Sequence, residues 1–252
     1  MNITPQGEPE SSPETLVRIT GMGKNYGDLI AVRDVTFSIR KGEILGVIGP
    51  NGAGKTTLLE CVAGVQPAAA GNVTFGDSSG NGQARSSFLF YIPDGIAPWP
   101  HQSVRWAIDF AVGFFGGRRD LLSEVTHELH LAPLLGKTVA SLSKGQRKRL
   151  LLAIALLAPQ PVVLIDEPFE GLDLRQGREL EATLRKHVFA GKTLVLSIHQ
   201  ITVAARICDR FVLLSDGKLV AEGTREELFQ AASCRPGHAR LRDFEEVFLA
   251  LT

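Results

Sequence analysis

The sequence predicts an α/β fold: a parallel sheet flanked by helices, with an N-terminal antiparallel β subdomain and an inserted helical subdomain. Three observations predict it. The runs EILGVIG (43–49), VVLID (162–166) and TLVLSI (193–198) are short and almost continuously apolar, as strands of a doubly covered parallel sheet are. Each leads into a run with helical character: KTTLLECVAG, RQGRELEATLRKHVF and ITVAARIC. Between 95 and 158, apolar residues recur at three- and four-residue spacing, and strand-like segments give way to helices. A chain of 252 residues with 44% hydrophobic content accommodates one large domain or a domain carrying an inserted subdomain.

In chain order, MNITPQGEPESSPET is polar and rich in Pro and Ser, and it lacks the apolar stretch of a signal peptide. Residues 1–15 are therefore expected to form a disordered tail. LVRIT (16–20) and VTFSI (35–39) read as strands, as do GNVTF (71–75) and FLFYI (88–92). The last two are separated by the Gly/Ser-rich stretch 76–87, expected to be a loop. SVRWAIDFAVGFF and DLLSEVTHELHLA carry the helical spacing of the inserted segment. FVLLSDGKLVAEG reads as a hairpin turning at Asp216-Gly217, and two amphipathic stretches close the chain. The expected boundaries are 16–94 with 159–222 for the α/β core, 95–158 for the helical subdomain and 223–252 for a C-terminal helical segment.

Bulk chemistry narrows the function. Lys+Arg 27 balances Asp+Glu 27, without the basic excess of a nucleic-acid binder, so no nucleic-acid partner is expected. Cys61, Cys208 and Cys234 are widely spaced and form no CxxC pair, which points to reduced thiols rather than a zinc site or disulfides. The most apolar run, LLLAIALLA (150–158), falls well short of the ~20 residues a membrane span needs. Any membrane role requires a partner chain.

The chemistry begins with GPNGAGKT, residues 49–56, which fits G-x-x-x-x-G-K-[ST] between a strand and a helix. This makes the core a P-loop NTPase core. Within Gly49, Pro50, Asn51, Gly52, Ala53 and Gly54, the glycines let the backbone curl so that successive N–H groups face a phosphate, and the next helix turns its positive end to the same anion. Lys55 reaches the β- and γ-phosphates of a nucleotide, the Thr56 hydroxyl binds Mg²⁺, and Thr57 continues the first turn. In VVLIDEP (162–168), Asp166 ends a buried strand where a carboxylate holds the metal. Glu167 follows as the candidate general base for an attacking water. His199 ends another apolar strand; its spacing fits a packed or capping residue and a γ-phosphate contact equally well. SLSKGQRKRL (141–150) is conspicuously basic. On charge alone it reads as the solvated face of a helix.

These residues together resemble the ATP-binding domain of the ABC (ATP-binding cassette) ATPases, from about Leu16 to about Glu222, with every motif in the family's order. LSKGQ, Leu142 to Gln146, resembles the family's signature, and EGLD, Glu170 to Asp173, its D-loop. The resemblance implies ATP and Mg²⁺ as ligands, His199 as the switch histidine, and Tyr26 as the aromatic that stacks on adenine. It further implies that Ser143, Gly145 and Gln146 of one subunit, with Asp173 nearby, close on the nucleotide held by another. Two positions depart from the pattern. Asp94 stands where the family often has a Gln that meets the metal, which puts direct metal contact in doubt and leaves a water-bridged contact open. Lys144 replaces the first Gly of the signature. Both departures are similar to those of exporter ATPases of the ABC-2 type. The resemblance thus implies an ATPase subunit, in a homodimer or with a paralogue. It would sit at the cytoplasmic face of a membrane through a separate permease and drive export. The alternative is a soluble ATP-gated clamp or assembly factor, such as one for iron–sulphur clusters.

Overall fold

The computed structural model describes residues 14–76, 85–235 and 241–252. Two sheets form its frame. The first is antiparallel, ordered β2-β1-β4, from β1 (Thr15–Tyr26), β2 (Leu29–Arg40) and β4 (Ala70–Phe75). The second is ordered β5-β6-β7-β3-β8-β9, from β3 (Ile44–Ile48), β5 (Leu89–Ile92), β6 (Val162–Asp166), β7 (Thr193–Ile198), β8 (Arg210–Ser215) and β9 (Lys218–Thr224). Its first five strands run parallel, and β9 returns antiparallel to β8. Asp216 and Gly217 both take positive φ at that hairpin turn, 48° and 74°, as a tight two-residue turn requires.

All residues of β3, β6 and β7 are buried, which is why their sequences are almost continuously apolar. Alternate side chains nevertheless enter different cores. Ile44, Ile48, Val163, Ile165, Leu194 and Leu196 face one core, built mainly with helices. Leu45, Val47, Leu164 and Val195 face the other, shared with α1 (Lys55–Ala63) and the antiparallel sheet. Period two survives in the packing although the sequence hides it.

The remaining helices are α2 (Arg85–Phe88), α3 (Val104–Phe115), α4 (Leu122–Glu128), α5 (Lys144–Leu157), α6 (Leu174–Phe189), α7 (Ile201–Ile207), α8 (Arg225–Ser233) and α9 (Phe244–Leu251). In α3 the Ser103 hydroxyl accepts from the Trp106 N–H, and Gly116 ends the helix with φ 70°. α9 packs on the sheet through Phe244, whose ring centre lies 4.5 Å from that of Phe211 in β8.

Several boundaries differ from expectation. Of the stretch expected as a tail, 1–13 lies outside the described residues, Glu14 pairs with Lys41 at 2.8 Å, and Thr15 opens β1. β1 and β2 run well beyond 16–20 and 35–39, because register shifts along the pair carry it past polar positions. Of the expected 76–87 loop, 77–84 lies outside the described residues. Arg85–Phe88 is helical, tied down where Gln160 donates to the Ser86 carbonyl at 2.8 Å. The expected helix at 120–132 is split, with a 3-10 turn at Arg119–Leu121 before α4 and His130 at φ 52° after it.

Candidate functional site

The loop joining β3 to α1 is shaped by two glycines. A Cβ on Gly49 would lie 2.4 Å from the Leu214 carbonyl oxygen, and one on Gly54 would lie 2.4 Å from that of Ala31. Gly54 also has φ 94°, a backbone that residues with side chains avoid. No side chain caps α1, so its first N–H groups face the loop as donors for an anion. Lys55 is 7% exposed, and its ammonium donates to the Gly49 and Pro50 carbonyls at 2.8 and 3.2 Å. It lies 3.7 Å from Glu167 Oε1.

At the end of β6, the Thr56 hydroxyl donates to Asp166 Oδ2 at 2.7 Å. The Ser197 hydroxyl donates to the other oxygen of Asp166 and accepts from the Glu167 N–H at 3.0 Å. Hydroxyl and carboxylate are hard oxygen donors, suited to Mg²⁺, and Asp166 is fixed on both oxygens. Among the described residues no cluster of three or more His, Cys, Asp or Glu could hold a metal by itself. An ion here would complete its shell with phosphate oxygens and water, as Mg²⁺ commonly does. Glu167 adopts φ 48°, and its Oε2 meets His199 Nδ1 at 2.7 Å. His199 is exposed rather than packed in the core and caps no helix; its ring pairs with Glu167.

A cavity of about 760 Å³ opens here, and its lining includes Tyr26, Asn51, Gly52, Gly54, Lys55, Thr56, Thr57, Asp94, Asp166 and Glu167, while Gly49, Pro50 and His199 lie off it. Ala53 is buried beneath the loop. Tyr26 is half exposed at the rim, with the Lys24 ammonium 5.0 Å from its ring centre. Asp28, Ile30, Arg33, Asp216 and Gly217 also line the cavity, and sequence reading did not single them out for it.

The signature residues stand elsewhere. Ser143 caps α5, accepting from Gln146 N–H at 3.2 Å, while Gln146 Oε1 accepts from Ser143 N–H at 3.1 Å. Asp173 caps α6 by accepting from the Gln176 N–H at 2.8 Å. Ser143, Gly145, Gln146 and Asp173 are all absent from the lining of the Lys55 cavity.

Asp94, at the exit of β5, has both oxygens engaged, Oδ1 with Lys148 at 3.1 Å and Oδ2 with Lys144 at 3.8 Å. Burial works to raise its carboxyl, but the Lys148 ammonium, with Lys144 behind it, prevails and holds the pKa below the usual carboxylate range. A metal contact by Asp94 has to compete with those two cations. Lys144 also binds Glu170 at 2.7 Å.

The basic run needs a correction. Lys144 is exposed and Arg147 and Arg149 are partly so, but Lys148 is buried, 6% exposed, and donates to the Glu167 carbonyl. A run of like charge conceals which member points inward. Ser197 was missed too. The clue was a hydroxyl following the apolar run LVL in the strand TLVLSI, where a buried polar group requires a partner.

The family profile described as "ABC transporter" matches residues 32–170. The sulfate/thiosulfate import ATP-binding protein CysA 2 of Agrobacterium fabrum is 34% identical over 220 residues, covering 84% of this chain and 64% of that protein. The spermidine/putrescine import ATP-binding protein PotA of Treponema pallidum is 35% identical over 223 residues, covering 85% of this chain and 58% of that protein. The chain therefore spans less than two thirds of the length of these curated relatives. Among solved structures, an ATP-binding subunit of an ABC transporter superposes with a TM-score of 0.81 at 26% identity, covering 94% of this chain and 99% of that one. A nucleotide-free ATP-binding cassette shares the fold, with a TM-score of 0.73 at 19% identity over 91% of this chain and 100% of that one.

Proposed function

Since the chain belongs to the ABC transporter family, we propose that it hydrolyses ATP as the ATP-binding subunit of a transporter. In this reading it pairs with a second such subunit and drives a separate membrane-spanning permease. The observation that carries it is the convergence of Lys55, Thr56, Asp166 and Glu167 on one cavity, with His199 bonded to Glu167. Loop amides and Lys55 bind the β- and γ-phosphates, and Tyr26 at the rim offers a ring face to adenine. Mg²⁺ held by Thr56 and Asp166 would neutralise charge on the phosphates. Glu167 takes the proton of the water that attacks the γ-phosphorus, yielding ADP and phosphate, while His199 orients its carboxylate.

Ser143 and Gly145 lie off their own chain's cavity, which supports their reading the γ-phosphate of a partner subunit, through a hydroxyl and a helix N-terminus. No helix among the described residues is long and apolar enough to cross a membrane, so the transport pathway falls to the permease and this subunit lies against its cytoplasmic side. Trp106, Phe110 and Phe114 on α3 are exposed and stacked side by side, the kind of apolar surface that serves partner binding. Direction is a separate reading. Asp94 and Ser143-Lys144-Gly145 carry export, whereas the relatives above are named as import subunits.

Two experiments test this. In the first, Glu167→Gln keeps ATP affinity and loses roughly a hundredfold or more of turnover, while Lys55→Ala weakens ATP binding itself. Wild-type turnover in Glu167→Gln removes Glu167 as the base. In the second, the chain is co-expressed with a neighbouring reading frame that encodes apolar spans. Retention on the membrane and ATP-dependent flux support the transport role, and the sense of the flux gives its direction. A chain that ignores that protein points to the soluble clamp instead.

A further inference from the structure

Lys148 is the one buried cation of the basic run, and its ammonium joins two loops. It pairs with Asp94 Oδ1 at 3.1 Å at the exit of β5, and it donates to the Glu167 carbonyl at the exit of β6. That carbonyl also accepts from the Glu170 N–H at 3.2 Å, and the N–H of Glu167 is held by Ser197 at 3.0 Å. Both sides of the Glu167 backbone are therefore clamped, at a residue whose φ of 48° a non-glycine adopts only when its surroundings impose it. Its side chain is aimed by that backbone to His199 at 2.7 Å and towards Lys55 at 3.7 Å. Lys148 is only 6% exposed. A buried ammonium is tolerated when its charge is matched and its donors are used; here the Asp94 carboxylate matches the charge and the Glu167 carbonyl takes a donor. The helix that carries it starts at the Ser143 cap, so any shift of that end is transmitted to the carbonyl of Glu167.

We propose that Lys148 is a positioning residue for ATP hydrolysis, clamping the Glu167 carbonyl to the Asp94 carboxylate so that α5 must be seated for the base to be aimed. This rests on Glu167 being the base, as proposed above. The test uses the full chain with Mg-ATP and the variant Lys148→Met, which keeps the length and apolar stem without the charge. Its kcat should fall roughly tenfold or more, with the KM for ATP within about twofold of wild type. Amide exchange at 167–170 should accelerate about fivefold or more while β3 and β7 keep their protection. Lys148→Gln retains a donor towards the Glu167 carbonyl, should recover part of both losses, and serves if methionine costs the fold. A kcat within about twofold of wild type in Lys148→Met, or unchanged exchange at 167–170, overturns the proposal. So does loss of protection throughout the chain in both variants, which would make Lys148 a general stability residue. Glu167→Gln assayed alongside separates the two readings. If it turns over normally, the base assignment fails, whereas the exchange result judges the clamp on its own.

Discussion

Ser197 shows how much a single hydroxyl organises here. It is fully buried in β7, donates to Asp166 and accepts from the Glu167 N–H at 3.0 Å. Removing it leaves one part-buried N–H without its acceptor, at a cost of about 1 kcal/mol, and releases one oxygen of Asp166. For a chain of this size each kcal/mol lowers the Tm by roughly 2–4 °C. Ser197→Ala is therefore expected to melt several degrees lower and to need severalfold more Mg²⁺ for half-maximal turnover; a Mg²⁺ titration of the ATPase rate checks it. Legibility at this scale followed contiguity. Lys55, Thr56, Asp166 and Glu167 lie in short runs whose spacing carries the chemistry. Ser197 and Lys148 act across strands and helices, and their roles exist only once β6, β7 and α5 are packed together.

α5 is the element where stability and function can be pulled apart. Its N-terminus is closed by the Ser143–Gln146 capping box, so a loss of activity in a Ser143 variant is open to a trivial explanation. The chemistry of caps resolves it. Ala at an N-cap costs about 1 kcal/mol, but Gly only a few tenths. Ser143→Gly and Ser143→Ala should thus lose ATP turnover to the same extent, while only the alanine variant melts measurably lower. Retained turnover in the glycine variant confines Ser143 to capping. At the other end of α5, the Lys192 ammonium donates to the carbonyls of Ala158 and Gln160. Burial, aided by Arg118, pushes the pKa of Lys192 down from 10.5 to about 8. Between those values the unfolded chain binds more protons, so stability rises with pH across that window and the penalty is fully present below it. Lys192→Met should flatten that rise, as melting curves from pH 7.5 to 10 will show. Elements were legible where one signal dominated: apolar runs gave β3, β6 and β7, and apolar residues at three- and four-residue spacing gave α3. The long β1–β2 ribbon was under-read, because register shifts break the alternation on which strand reading depends.

At the scale of the molecule, the sheet brings the phosphate loop, both acids and His199 together, yet leaves Ser143, Gly145 and Gln146 off the cavity they are proposed to complete. The sequence shows one P-loop and one signature, but which of them meet is a matter of geometry, and the signature residues do not line the cavity of their own chain. If the signature reads the γ-phosphate of a partner, ATP binds the dimer more tightly than the monomer and must stabilise it by mass action. Hydrolysis normally ends that state by removing the γ-phosphate. Blocking it with Glu167→Gln should therefore accumulate a dimer in Mg-ATP, seen as a doubling of mass by light scattering, and none in ADP. Adding Ser143→Gly to Glu167→Gln should abolish the dimer without weakening ATP binding by the monomer. A Glu167→Gln chain that stays monomeric at saturating Mg-ATP would mean that α5 faces some other partner, and the two-subunit site would have to be given up.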